Sequence, residues 1–351
     1  MKKIIYLYTE VMPYTVATIN AIADQGVDVT VVHWDKQRNT PYLVQSKNNN
    51  IAFITRSSVN FSVLKNLIDN NQIDLICVSG WQDKLYILLC SYVRIRQPNI
   101  RVVCMFDDQW HSTFRQRLLA IASSFGLLSR VYTHAWVCGA PQYEYAKRLS
   151  FQKRNIIMDL YSADRSVFNR EKKSEIQKRK VARRKDFLFV GRLCHVKGVD
   201  ILVEAWGELT NKLDWKLHIV GNGPLESSIP SSSDIVFHGF LESSELSALT
   251  QGMGCFVLPS RWEPWGVVVH EFAYAGLPLI TSDIVGSSSA FLIDGFNGFV
   301  FPSDSKSSLK NTMEKIIGLS ADDLMAFSTN SVKLSDRITP ETSARNLLSI
   351  L

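Results

Sequence analysis

Short runs of apolar and β-branched residues alternate with helically periodic stretches along the 351-residue chain. This is the pattern of parallel strands joined by crossover helices. In the first half, residues 3–8, 27–33, 51–55, 73–78, 101–106, 135–138 and 155–158 read as strands. Residues 14–25 carry a helical repeat that Gly26 closes. Residues 85–95 are apolar nearly all round and are expected to form a well-buried helix. Residues 112–130 set Phe114, Leu118, Leu119, Ile121, Ala122 and Phe125 among Arg115, Arg117 and Arg130. That basic amphipathic pattern suits a membrane surface, and an ordinary packed helix is the competing reading.

Residues 170–186, REKKSEIQKRKVARRKD, lose apolar periodicity and read as a linker. The pattern then restarts, with strands at 187–190, 216–220, 235–238, 255–258 and 277–281 and helices at 199–209, 244–250 and 266–275. A last helix at 339–351 opens on Thr339-Pro340-Glu341, which supplies a cap, a first-turn proline and an early acid. The expected fold class is α/β, with Rossmann-like domains at 1–170 and 186–338, a basic linker at 171–185, and helix 339–351 a candidate to pack back on the first domain.

Charge is divided unevenly. Residues 1–170 carry 20 Lys and Arg against 12 Asp and Glu, 171–185 carry 8 against 2, and 186–351 carry 11 against 19. The basic first half therefore points to an anionic partner, such as a lipid headgroup or lipid-linked phosphate, unless it is only a solvated face. No nucleic-acid partner is expected. The six cysteines, at 77, 90, 104, 138, 194 and 255, lie mostly in apolar runs without CxxC spacing, and read as buried thiols rather than disulfides or zinc ligands. The first apolar run, 4–8, is too short for a signal peptide, and no run reaches the roughly 20 residues of a spanning helix. A cytoplasmic protein is expected.

Two motifs carry candidate chemistry. The first is the strand 187–190 followed by Gly191, Arg192, Lys197 and Gly198 and then a helix. Glycines allow close backbone approach, a helix start favours anions, and the cations add full charge, which together describe a pyrophosphate site. A surface loop with solvated cations is the plainer reading. The second is Pro259-Ser260-Arg261-Trp262-Glu263-Pro264-Trp265-Gly266, running into a helix that carries Val267, Val268, His270 and Glu271. It follows a strand, where open α/β sheets bind ligands. The free amides at the helix start can hold phosphate, and carboxylates can accept paired sugar hydroxyls. Here the plainer reading is a capping Glu263 and an ion-paired Glu271.

The stretches 189–206, 218–224, 236–240, 258–286 and 294–301 together resemble the retaining glycosyltransferases of family 4, which have the GT-B fold. The most specific element is the pair Glu263 and Glu271, an E-x7-E spacing. The resemblance implies two Rossmann-like domains facing across a cleft and a nucleotide diphosphate-sugar donor. It implies that Gly191, Arg192, Lys197 and the amides of Gly266, Val267 and Val268 hold the diphosphate. It further implies that Glu271 binds the ribose, that Glu263 contacts the transferred sugar, and that the base packs near His238, Gly239, Phe240 and Leu241. Arg192, Lys197 and Glu263 are the catalytic candidates. No cofactor and no metal are expected, since cations and a helix end neutralise the diphosphate.

The first half departs from the family. The loop after the first strand, Thr9-Glu10-Val11-Met12-Pro13-Tyr14, has no glycine. Asp107 and Asp108 are candidates for the sugar and acceptor side, with a metal site as a minor reading. A glycan or lipid-linked glycan acceptor, on a domain touching the inner face of the cytoplasmic membrane, is the expected partner. Alternatives are a UDP-sugar epimerase of the same fold and a non-catalytic nucleotide-sugar-binding subunit. An NAD enzyme is disfavoured, because no GxGxxG follows the first strand.

Overall fold

A computed structural model describes residues 1–35, 45–166 and 185–351. Most of the expected linker, through residue 184, lies outside the described residues. The chain divides into two compact units, Met1–Ser162 with Ile338–Leu351, and Ala163–Arg337.

The first unit is built on a seven-stranded parallel sheet in the order β3-β2-β1-β4-β5-β6-β7. Its strands are β1 Lys2–Tyr8, β2 Val27–His33, β3 Ile51–Thr55, β4 Leu75–Ser79, β5 Arg101–Phe106, β6 His134–Val137 and β7 Ile156–Ile157. The helices are α1 Pro13–Ala23, α2 Phe61–Asn70, α3 Lys84–Arg96, α4 Phe114–Ser124 and α5 Ala140–Arg148. The middle strands are apolar without alternation because both faces of a parallel sheet are covered, and Ile4 to Tyr8 are all buried.

The C-terminal helix of this unit, Pro340–Leu348, packs on α1. The Thr339 side chain caps it by accepting from the Thr342 amide at 3.1 Å, and Asn346 donates to Asp159 at 2.9 Å.

The second unit holds a six-stranded parallel sheet in the order β10-β9-β8-β11-β12-β13. Its strands are β8 Asp186–Val190, β9 Lys216–Val220, β10 Ile235–Gly239, β11 Cys255–Leu258, β12 Leu279–Ser282 and β13 Gly298–Phe301. The helices are α6 Val199–Gly207, α7 Ser243–Thr250, α8 Val267–Tyr274, α9 Ser288–Phe291, α10 Lys306–Ile317 and α11 Ala321–Ser335, with the C-terminal helix of the first unit following as α12. Among the described residues no helix is long and apolar enough to cross a membrane.

Several expectations need correction. The helix expected over 85–95 does form, as α3, but it is not buried all round: Leu88 and Ile95 are 56% and 77% exposed. The helix expected over 112–130 ends at Ser124, because Phe125 leaves helical geometry and Gly126 turns left-handed at φ 89°. The strand expected at 155–158 shrinks to Ile156–Ile157, since residues 153–155 form a 3-10 turn. The strands expected at 73–78 and 277–281 both start later, at Leu75 and Leu279. Leu277 is buried in the turn before its strand rather than in the ladder, so apolar content alone misplaced the boundary.

Candidate functional site

The strand order of the second unit reverses between β8 and β11, since the chain runs outward through β9 and β10 and then returns to the other side of β8. In open parallel sheets a crevice forms at such a switch point, beyond the carboxyl ends of the strands. Both chemical motifs of the sequence lie in the loops there.

The loop after β8 is fastened to its neighbours through backbone. Gly191 donates to the Val220 carbonyl at 3.1 Å, and Leu193 donates to Asn222 at 2.8 Å. A Cβ on Gly221 would lie 2.0 Å from the Gly191 carbonyl oxygen, and one on Gly223 would lie 2.3 Å from that of Leu193. No side chain fits between the two loops. Gly198 ends a 3-10 turn in the left-handed region, against the Pro259 carbonyl of the loop after β11. Arg192 is exposed on the first of these loops, and His195 is exposed on the turn that follows.

The loop after β11 is braced by Arg261. Its guanidinium donates to Asp200 on α6 and to the His195 carbonyl, both at 2.7 Å, and to Asp304 at 2.6 Å. The Arg261 amide also donates to the Val196 carbonyl at 2.8 Å. This brace was not read from the sequence, because Asp200 and Asp304 lie 61 and 43 residues from Arg261 and nothing local marks the contact.

Beyond the brace, Glu263 is 8% exposed and its carboxylate pairs with the Lys197 ammonium. The two motifs therefore meet through their charged groups. It is Glu263 and not Glu271 that takes the ion pair. Gly266 makes this fit, since it turns left-handed at φ 87° and a Cβ there would stand 2.9 Å from Glu263 Cγ. The Ser287 hydroxyl holds the Gly266 carbonyl at 2.8 Å, and the Gly286 amide holds that of Glu263 at 3.2 Å.

Gly266 is also the N-cap of α8. The amides of Val267 and Val268, as the first residues of that helix, lie outside its own hydrogen-bond ladder. Glu271 follows about one turn on and is partly exposed. Burial, with the nearby charge of Asp164 adding to it, pushes its carboxyl from 4.5 up to about 7. His270, beside it, plays a structural part. Its Nδ1 accepts from the Ala163 amide at 2.9 Å and its Nε2 donates to the Ser335 carbonyl at 3.0 Å, which sets a neutral ring stacked 3.9 Å from Phe291.

His238 and Gly239 end β10, and Phe240 and Leu241 follow, with Phe240 46% exposed. His238 Nε2 lies 2.9 Å from His218 Nδ1 with the rings stacked, and burial, with His218 adding, holds the His238 imidazole below its ordinary value. The Gly239 carbonyl accepts from Gly221, so this edge joins the same backbone mesh.

Asp107 and Asp108 belong to the first unit, immediately after β5. Gln142 donates to the Asp107 carbonyl at 2.9 Å. Among the described residues no three His, Cys, Asp or Glu side chains gather as a metal-binding group.

Residues 170–333 match the family described as Glycosyl transferases group 1. The D-rhamnosyltransferase WbpZ of Pseudomonas aeruginosa is 31% identical over 135 residues, 36% of this chain and 34% of that protein. The O-antigen chain mannosyltransferase C of Escherichia coli is 31% identical over 138 residues, 37% of this chain and 36% of that protein. The matched stretch thus spans about a third of the length of these relatives. Along the whole chain, the structure of Anabaena HepE in complex with UDP superposes with a TM-score of 0.73 at 17% identity, covering 100% of both chains. The fold is that of the GT-B glycosyltransferases.

Proposed function

We propose, from a second unit that carries a glycosyl transferases group 1 domain, that this protein transfers a sugar from a nucleoside diphosphate-sugar to a hydroxyl acceptor with retention of configuration. The observation that carries the reading is the Lys197–Glu263 pair at the switch point, beside the start of α8 and one turn from Glu271. Arg192 and Lys197 neutralise the leaving diphosphate, with the amides of Val267 and Val268 aiding them from the helix end. Lys197 divides its charge between Glu263 and the diphosphate, which holds Glu263 where it can accept from hydroxyls of the transferred sugar. Glu271 accepts from the ribose diol, and the base lies along His238 to Leu241. In the reacting step the acceptor oxygen bonds to the anomeric carbon as the bond from that carbon to the diphosphate oxygen breaks. The acceptor's proton passes to the departing oxygen. No protein nucleophile is required, and the charge supplied makes a divalent metal unnecessary.

The acceptor we propose is a lipid-linked glycan of a surface polysaccharide. Support comes from the relative named for O-antigen chains and from the basic balance of residues 1–170. The test is an assay of nucleoside diphosphate-sugars with glycan acceptors, the product's anomeric configuration being read by NMR. Retention, activity that survives chelator, and a loss of roughly 10²-fold in Arg192→Ala or Lys197→Ala are expected. An inverted product, or near-normal turnover of either variant at saturating donor, overturns the reading.

A further inference from the structure

We infer that the outward face of α4 is a docking surface for an anionic lipid bilayer. Phe114, Leu118, Ile121 and Phe125 are 76%, 50%, 59% and 79% exposed. Phe114, Leu118 and Ile121, spaced four and three residues apart, stand on one side of the helix, and Phe125 follows at its C-cap. An ordinary surface helix turns such a stripe inward. Here the inward side is already taken: Leu119 packs on the core of the first unit, and Ser123 is buried with its hydroxyl on the Leu119 carbonyl at 2.6 Å. The large apolar side chains are therefore left outside a helix that is itself seated.

That seat is firm. Thr113 and Gln116 form a reciprocal cap, and the Gln116 side chain also accepts from the His111 amide at 2.8 Å and donates to the Gln109 carbonyl at 2.6 Å. The stripe is thus presented in a fixed orientation and needs no refolding to be used. On the same face of the sheet, α3 exposes Leu88 and Ile95, while Tyr86, Leu89 and Val93 share the buried cluster with Leu119.

Charge selects the occupant. Arg115, Arg117 and Arg130 are exposed around the stripe, and no acidic residue occurs between Gln109 and Tyr143. Lys84 and Arg96 stand exposed at the two ends of α3. Apolar side chains ringed by cations of a single sign match the acyl boundary beneath anionic headgroups, and each such cation strengthens partitioning by roughly five-fold. A second copy of the chain would set these arginines against one another. The inference rests on this face alone and not on the chemistry assigned to the second unit.

The test is co-sedimentation of the full chain with vesicles of phosphatidylglycerol and phosphatidylcholine, against vesicles of phosphatidylcholine only, at low and high salt. Binding to the anionic vesicles is expected, weakening at least ten-fold when salt is raised. A variant with Phe114, Leu118, Ile121 and Phe125 all changed to Ser should lose at least ten-fold in binding while its melting is unchanged. If that variant fails to fold, Arg115→Gln, Arg117→Gln and Arg130→Gln together should abolish the difference between the two vesicle types. Exposed apolar residues elsewhere supply the control, and Leu213→Ser with Ile293→Ser should bind as the unaltered chain does. Equal binding to both vesicle types, binding to neither, or a dimer that the serine variant dissolves with vesicle binding intact would each overturn the inference.

Discussion

The two units place the same parallel scaffold behind their carboxyl-end loops but fasten those loops by different means. In the second unit the contact is backbone on backbone, Gly221 on Gly191 and Gly223 on Leu193, with no side chain between. In the first unit the loop after β1 is latched by side chains. The Thr9 amide donates to Ser79 Oγ at 2.9 Å, and the Tyr8 and Tyr161 hydroxyls meet at 3.2 Å. A strand order sets where a ligand can sit, whereas loop composition sets how near the main chain can come to it. Bare backbone lets the main chain come close to a bound anion, while a latch of hydroxyls fills that space with its own side chains.

The strongest way to break this comparison is to add one carbon on each side. Gly221→Ala drives a Cβ to within 2.0 Å of a backbone oxygen at φ 131°, and nothing flexible lies in the way to yield. The expected loss is more than about 4 kcal/mol, in the range reserved for severe backbone conflict. Ser79→Ala in the first unit removes two hydrogen bonds from a latch, the one accepted from the Thr9 amide and the one donated to Thr9 Oγ1, and should cost only about 1–2 kcal/mol. Denaturant unfolding monitored separately for each unit measures both. Comparable losses would mean that the backbone mesh is not what distinguishes the second unit.

The Lys197–Glu263 pair is the next largest lever. Lys197→Met leaves a carboxylate that is 8% exposed without its cation, at an expected cost of about 3 kcal/mol. Adding Glu263→Gln should restore much of that stability, because the uncompensated charge is then gone. The double variant should nonetheless keep a loss of turnover of at least roughly 10²-fold. If the two losses of stability simply add, the residues are not coupled in solution.

How far this site could be read in advance depended on whether its signal was local. Gly191, Arg192, Lys197, Glu263, Gly266 and Glu271 stand in two short stretches, each after a strand and before a helix, and that grammar is visible along the chain. Arg261 stood in view within the second stretch, yet its task is defined by Asp200 and Asp304, which only folding brings near. The same limit applies to the elements. Strands such as β5 and β11 are almost unbroken apolar runs and declared themselves. By contrast, α10 and α11 escaped notice because KSSLKNTMEKII and ADDLMAFSTNSVKLS are rich in polar residues, and β13 because it is four residues opening on glycine. The exposed side of α4 illustrates the reverse case: periodicity found the stripe, but which way it faced was decided by Leu119 and Ser123.

Glu271 sharpens the comparison through pH. Its carboxyl stands at about 7 in the fold against 4.5 ordinarily. Between those values the native state binds more protons than the unfolded chain, so stability falls as pH rises through the window. The contribution is full below 4.5 and lost above 7. Screening through its open side brings the expected loss to about 1–2 kcal/mol. Glu271→Gln should therefore match the unaltered chain at pH 4, exceed it at pH 8, and flatten the slope between. Affinity for a nucleoside diphosphate should run the other way in the unaltered chain, strengthening as the carboxylate proposed to accept the ribose diol becomes ionised. A stability profile unaltered by Glu271→Gln would deny the burial its effect.

The smallest expected effect isolates the units from one another. Asp108 lies on the segment after β5, at the carboxyl end of the first sheet, just as Glu263 lies beyond a carboxyl end of the second. If binding of the diphosphate and base is carried wholly by the backbone mesh, Lys197 and α8, then Asp108→Asn should leave the Kd of a free nucleoside diphosphate within about two-fold, or about 0.4 kcal/mol. Turnover with a complete donor and acceptor is where this substitution should register, because the sugar and acceptor remain to be held once the diphosphate is bound. Titration calorimetry with the nucleoside diphosphate alone separates the two contributions. A ten-fold weakening there would place Asp108 in nucleotide recognition, and the division of labour between a backbone-lined unit and a side-chain-lined unit would have to be abandoned.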